Sequence, residues 1–341
     1  MRSVNLWAEV ADKVAQIGAN AELLVPASRL TTYRLGGPVA LVVSITKIEQ
    51  VIALGSCLTD DMNVVVIGNG SNILISDDGF DGVAVVLNPA DDNTLGNMIE
   101  LTERTAMIDA SAGVRLPVLA RRSAAIGWSG LEWAVGVPGT LGGAVRMNAG
   151  GHGSDMAGTL HDADVVNLRN GRLVRVAKQD LGLRFRGSAM TDEMCVVSAR
   201  CQVTRGSVEK CQEEISAIVG WRRENQPGGQ NAGSVFVNPA QSSKSAGALI
   251  DEAGLRGTRR GTAEISQKHA NFIQADEKTT AADIVALMCD AQETVLARTG
   301  TMMYSEIRLL GFTPEISERF QGRHLNDPNV ANAEAKLKSL L

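Results

Sequence analysis

Residues 67–82 read IGNGSNILISDDGFDG and lie between two apolar runs, NVVVIG (63–68) and VAVVL (83–87). Short apolar runs rich in β-branched residues and bounded by Gly and Asn predict buried strands. A turn between strands needs only one Gly or Asn. Here Gly68, Asn69, Gly70, Ser71 and Asn72 follow one another, a bare concavity rich in backbone N–H groups that suits an anionic phosphate. Taken alone, GNGSN is equally a tight turn with left-handed positions. The pattern is not G-x-G-x-x-G and no helix is expected directly after it, so the ordinary dinucleotide fingerprint fails. A phosphate bound here is held by loop amides rather than by a helix dipole.

The flanking segments alternate strand and helix. Residues 1–25 are expected to be helical, with Leu6, Val10, Val14 and Ile17 recurring at spacings of three or four. TTYRLGGPVALVVSI (31–45) breaks at Gly36, Gly37 and Pro38 and then enters a strand, and KIEQVIALGSCLTDD (47–61) predicts a helix. This succession predicts a small α/β unit. A second unit follows, with a strand in MIDASAG (107–113), a helix in LPVLARRSAAIG (116–127), and strands in ADVVNL (163–168), RLVRVA (172–177) and CVVSARCQV (195–203). After Arg205 the character changes. SVEKCQEEISAIVGWRREN (207–225), SAGALIDEAGL (245–255) and TAADIVALMCDAQETVLART (280–299) predict helices, with AEIS and NFIQA as strands between the last two. The expected organisation is therefore 1–89, 90–205 and 206–310, followed by a polar, Pro-containing tail, 311–341, that ends in a short helix.

Composition narrows the function classes. The chain has 341 residues and a net charge of −5, with Lys and Arg spread along it rather than clustered. That argues against nucleic acid as the main partner and leaves open a local basic pocket for a small anion. The N-terminal MRSVNLWAEVADKVAQ carries acidic residues where a signal peptide would be apolar, and no run approaches a membrane span. Five cysteines form no C-x-x-C, and no pair of the four histidines has a helical metal-site spacing. The expectation is a cytoplasmic protein with reduced thiols, no membrane partner and no protein-bound catalytic metal.

Four further stretches carry candidate chemistry. GLEWAVGVPGTLGGAVRMNAGGHG (130–153) is too rich in glycine for a regular helix or strand and too apolar for a disordered linker. It is expected to be a loop that lets backbone approach a flat ligand, through Gly136, Val137, Pro138, Gly139, Gly142 and Gly143. Arg186 in LRFRGSAM is either a surface arginine or a bidentate clamp for carboxylate or phosphate. Ser234 in QPGGQNAGSVFVNP has no G-x-S-x-G elbow and no assignable Asp–His partners, which leaves a turn-bonded hydroxyl or an unusual proton donor. Glu306 in MMYSEIRLLG stands in an expected apolar strand; if buried, its proton affinity rises and it becomes a functional candidate. His269 in QKHANF is read as structural.

Taken in order, TTYRLGGPV, IGNGSNILISDDGFDG, GLEWAVGVPGTLGGAVRMNAG, FRGS, QPGGQNAGSVFVNP, AGALIDEAGLRG and ISQKHANFI, with Glu306 near the end, resemble the UDP-N-acetylenolpyruvoylglucosamine reductases (UDP-N-acetylmuramate dehydrogenases). The resemblance covers roughly residues 28–310. It implies an α+β fold, a two-subdomain FAD-binding region of the vanillyl-alcohol-oxidase/PCMH type followed by a smaller α/β substrate domain. It implies FAD and NADPH as cofactors and UDP-N-acetylglucosamine enolpyruvate as the substrate, in a monomer. By motif position, Arg186, Ser234 and Glu306 are implied as catalytic, residues 68–72 and 136–143 as cofactor-binding, and Arg222, Gln226 and Asn238 as substrate-binding. The short spacing between Ser188 and Arg222 resembles the family's form without an inserted tyrosine loop. Departures from the family pattern are Phe185 for a tyrosine, Val237 for a lysine and His152 for a frequent tyrosine. Another flavoenzyme on the same scaffold, or a non-catalytic flavin- or nucleotide-sugar-binding module, is the alternative reading.

Overall fold

A computed structural model describes residues 4–88, 97–321 and 328–341. The expected boundary between 89 and 90 lies outside the described residues. The first unit holds α1 (Val4–Gln16), β1 (Asn20–Pro26), β2 (Pro38–Ile45), α2 (Ile48–Leu54), β3 (Asn63–Ile67), β4 (Ile73–Ile75) and β5 (Phe80–Leu87). Its sheet has the order β1-β2-β5-β3, with β5 parallel to both β2 and β3 and β1 antiparallel at the edge. Helix α1 presents Trp7, Val10 and Val14 to this sheet at helical spacing. The helix expected over 1–25 is shorter: Gly18, at φ +76, turns the chain, and residues 20–26 pair with β2 instead.

The second unit contains β6 (Asn97–Glu100), β7 (Thr105–Ser111), α3 (Leu116–Ala125), β8 (Trp128–Ser129), α4 (Leu141–Met147), β9 (Gly150–Gly151), β10 (Ser154–Asp155), α5 (Met156–Thr159), β11 (Leu160–Asn167), β12 (Leu173–Ala177) and β13 (Met194–Arg205). The antiparallel order is β12-β11-β13-β7-β6, with β8 on β13. Ile108, Ala110, Val165, Ala199 and Val203 line the face covered by α3 and α4. Helix α6 (Val208–Asn225) adds Cys211, Ile215 and Ile218 to this same core, although it begins where the composition changes. The expectation that residues 130–153 hold no regular structure fails at α4. Thr140 caps that helix by accepting from the Gly143 amide, and Leu141, Ala144 and Val145 are buried at i, i+3 and i+4.

The third unit comprises α7 (Ala246–Glu252), β14 (Arg259–Arg260), β15 (Ala263–Ile265), β16 (Ile273–Gln274), α8 (Ala281–Thr299) and β17 (Arg308–Leu310). Its core takes in Tyr33, Leu35 and Leu74 from the first unit. Strand β17 runs parallel to β4, which lies within the stretch 67–82 expected to be a loop between two strands. Beyond it, α9 (Pro314–Gln321) buries Phe320 in the third core, and α10 (Pro328–Leu340) places Leu337 in the second. Among the described residues, no helix is long and apolar enough to cross a membrane.

Candidate active site

Two loops from different units meet end to face. The Asn69 side-chain amide donates to the Pro138 carbonyl at 2.6 Å. A Cβ on Gly68 would collide with Thr140 Oγ1, and one on Gly139 would face Ser71 Oγ at 3.7 Å. Gly70, at φ +60, packs against the backbone of Leu30 and Thr31 and accepts from the Thr32 amide. Gly142 sits against Ala112. These three glycines serve the contact of protein with protein. Gly139 and Gly143 are different, since a Cβ there would find nothing closer than ordinary contact. Their backbone is accessible to a ligand. Gly136 lies beneath the His152 imidazole, which meets Trp221 edge-on at 5.1 Å.

Asn72 does something the motif does not announce. Its side-chain amide donates to the Glu306 carbonyl at 3.0 Å, and its own carbonyl accepts from the Arg308 amide at 2.9 Å. The phosphate-type loop is thereby tied to the segment carrying Glu306. That residue is not within a strand, as expected, but just before β17. The Glu306 amide donates to the Val235 carbonyl at 2.7 Å and the Val237 amide to the Tyr304 carbonyl at 2.9 Å. Antiparallel pairing of 235–237 with 304–306 thus sets Val235 opposite Glu306, and Ser234 precedes that pair by one residue.

Arg186 arrives from the second unit. Arg184 and Gly187 exchange backbone hydrogen bonds, and Arg186 occupies the left-handed region of this tight turn at φ +57. Such a conformation costs about 1 kcal/mol or more for a residue with a side chain. It persists because the turn is fixed from behind. Ser188 Oγ donates to the Arg146 carbonyl at 2.6 Å, and the Asn148 amide donates to the Arg184 carbonyl at 3.0 Å. The outcome is an ion pair, Arg186 Nε to Glu306 Oε1 at 2.9 Å, with both side chains mostly shielded. Burial pushes the Glu306 carboxyl up to about 7, against the pull of Arg186. The Ser234 hydroxyl, half-buried, has no hydrogen-bond partner within the described chain.

The structure thus brings Arg186 and Glu306 together, sets the backbone next to Ser234 against Glu306, and joins the loops 68–72 and 136–143. Arg222 donates from Nε to Gln226 Oε1 at 2.8 Å at the end of α6. Asn238 has one oxygen committed to the Ala246 amide that opens α7. The His269 ring accepts from the Asn271 backbone amide and lies edge-on to Phe272. Val237, in place of the family lysine, is buried. Sequence reading passed over Asp192 and Arg308, which pair across the same region; two residues more than a hundred positions apart leave no local signal.

Residues 39–177 match the profile described as the FAD binding domain. With the paired loops, that places the chain among the FAD-binding oxidoreductases. Residues 225–310 match the C-terminal domain profile of UDP-N-acetylenolpyruvoylglucosamine reductase. The reductase of that name from Gloeobacter violaceus is 40% identical over 286 residues, 83% of this chain and 93% of its own. That from Chloroflexus aggregans is 36% identical over 294 residues, 84% and 96%. The crystal structure of the Thermus caldophilus enzyme (MurB) aligns at TM-score 0.71 and 29% identity, over 86% of this chain and 98% of that one. The chain belongs to the UDP-N-acetylenolpyruvoylglucosamine reductase family. A VAO-type flavoprotein from Myceliophthora thermophila, 10% identical at TM-score 0.56 over 99% of this chain and 93% of its own, shares the fold.

Proposed function

We propose that this chain reduces UDP-N-acetylglucosamine enolpyruvate to UDP-N-acetylmuramate with NADPH, in peptidoglycan precursor synthesis, using Arg186, Ser234 and Glu306 as its catalytic side chains. The observation that carries the site assignment is the 2.9 Å pair of Arg186 with Glu306, backbone-bonded beside Ser234. The residues fit FAD: the accessible backbone of Gly139 and Gly143 and the polar loop at 68–72 form a cradle shared by two units. FAD, when bound, supplies hydride chemistry.

The chain's own groups then act on the substrate. Reduction at the terminal methylene leaves negative charge on the adjacent carbon and its carboxylate. Arg186 offsets that charge from a partly desolvated position, a contribution of about 3 kcal/mol for interactions of this kind. Glu306, raised to about 7, is in part protonated near neutral pH and can donate to the substrate carboxylate. Ser234, with its hydroxyl uncommitted, delivers the proton to carbon. A serine is a weak acid, but the acceptor is a strong base. Arg222, Gln226 and Asn238 are assigned to substrate binding, the division at about 89 and 205 to separate subdomains, and the whole to a cytoplasmic monomer.

Stopped-flow absorbance separates the two halves of the reaction. In Ser234→Ala, NADPH should bleach the flavin at the wild-type rate, while reoxidation by the enolpyruvyl sugar falls by 10²-fold or more, the scale of lost general acid catalysis. Wild-type reoxidation in that variant would remove Ser234 from the mechanism.

A further inference from the structure

Two ion pairs, not one, join the turn that carries Arg186 to the segment that carries Glu306. The first is the pair itself. The second lies six residues along the turn and two along the strand: Arg308 grips Asp192 as a fork, Nη1 to Oδ1 at 2.8 Å and Nη2 to Oδ2 at 2.9 Å. The same carboxylate takes Arg146 Nη2 at 2.7 Å, and Arg146 also donates to the Thr191 carbonyl. Arg146 stands on α4, Asp192 follows the Arg186 turn, and Arg308 opens β17. One carboxylate therefore gathers three segments from two units at the edge of the site.

We propose that Asp192 is a positioning residue that sets the distance between Arg186 and Glu306. The inference rests on the reading of that pair given above. Arg146 and Arg308 carry like charges that converge on one anion, so removing the anion's charge leaves two shielded guanidiniums facing each other. Their separation would draw β17 away from α4 and the Arg186 turn. Glu306, two residues before the start of β17, would move with it, while Arg186 is held to the second unit through Ser188 and the Asn148 side chain. Burial alone would raise the Asp192 carboxyl, yet Arg308 and Arg146 hold it below the usual carboxylate range, so the clamp stays charged across the working pH range. The charged groups facing Asp192 are Arg146 from α4 and Arg308 from β17; Arg186 is the one facing Glu306.

The test uses the flavin-loaded full chain with isotope-labelled glutamate side chains, the Glu306 signal being assigned by its loss in Glu306→Gln. In Asp192→Asn, the Glu306 titration should move above its wild-type midpoint, because Arg186 no longer lowers it. Flavin reoxidation should fall on the order of 10-fold or more, with reduction by NADPH unchanged. Asp192→Glu should restore both in part. Asp164→Asn, which breaks the Arg175 pair on the outer sheet face, should move neither. Should Asp192→Asn fail to fold, Arg308→Lys, which keeps the charge but loses the fork, is read in the same way. An unmoved Glu306 titration in either folded variant overturns the proposal. The catalytic reading fails separately, if Glu306→Gln reoxidises at the wild-type rate whatever Asp192 does to the titration.

Discussion

Gly68 and Gly70, expected to offer bare backbone to a phosphate, are also required as glycines by the protein around them. In the folded chain, a Cβ on Gly68 would strike Thr140 Oγ1 and one on Gly70 would strike the Leu30 carbonyl. The smallness of Gly68 lets the loop approach Thr140, and that of Gly70 lets it approach Leu30 and Thr31. Gly68→Ala should therefore weaken FAD retention by about 10-fold or more without unfolding the chain, the order expected when overpacking costs 1–3 kcal/mol at a loop contact. Combining it with Thr140→Ala removes the colliding oxygen and should recover much of that loss, despite the lost cap on α4. Fluorescence titration of flavin into the stripped protein measures both. Equal FAD affinity in Gly68→Ala and wild type would show that the loops need not meet.

At the scale of elements, the quoted stretch does a second job at its far end. Asp77 accepts from the amides of Ala281 and Ala282, at 2.8 and 2.9 Å, with its two carboxylate oxygens. It sits at the N-terminus of α8, already capped by Thr280 and Asp283 acting reciprocally. A carboxylate there satisfies orphan donors and meets the positive end of the helix. The contact also joins the first unit to the third. Asp77→Ala should lower stability by about 1–2 kcal/mol, seen as an earlier urea midpoint with an unchanged slope. A midpoint within error of wild type would mean that the Thr280–Asp283 box suffices. Helices α6 and α8 were legible because their apolar residues recur at helical spacing over several turns. Helix α4 was not: two glycines in seven residues mask its period, and burial of Leu141, Ala144 and Val145 outweighs the low helix propensity of Gly142 and Gly143.

Across the whole molecule, the three units are laced together rather than strung in a row. Beside the β4–β17 pairing, Thr32 Oγ1 donates to the Asn231 carbonyl at 2.7 Å and the buried Tyr33 hydroxyl to the Ile273 carbonyl at 3.2 Å. Residues of the last helix reach back to the second core. Glu306 is mostly shielded from water in this assembly, and the shielding has a thermodynamic consequence. Its carboxyl titrates at about 7 in the folded chain against an ordinary value of 4.5, so the folded state holds a proton that the unfolded state releases. That contribution is fully present below the unfolded value and is lost as pH rises through the folded one. Relative to wild type, Glu306→Gln should therefore gain up to about 3 kcal/mol as pH rises across that interval. Urea unfolding at several pH values measures the difference, and a constant gap between the two proteins would place Glu306 in ordinary solvent.

The sequence by itself determined most of the longer helices and strands and the two glycine-rich stretches, because periodicity, turn chemistry and motif order are local properties of a chain. Tertiary structure alone decided which glycines pack tightly against protein and which leave their backbone open. It alone placed Glu306 outside a strand and against Arg186, and gave Asn72 and Asp192 their partners. Those facts depend on segments far apart in the chain meeting in a shielded place. Only there do distance and desolvation turn an arginine, a serine and a glutamate into a site.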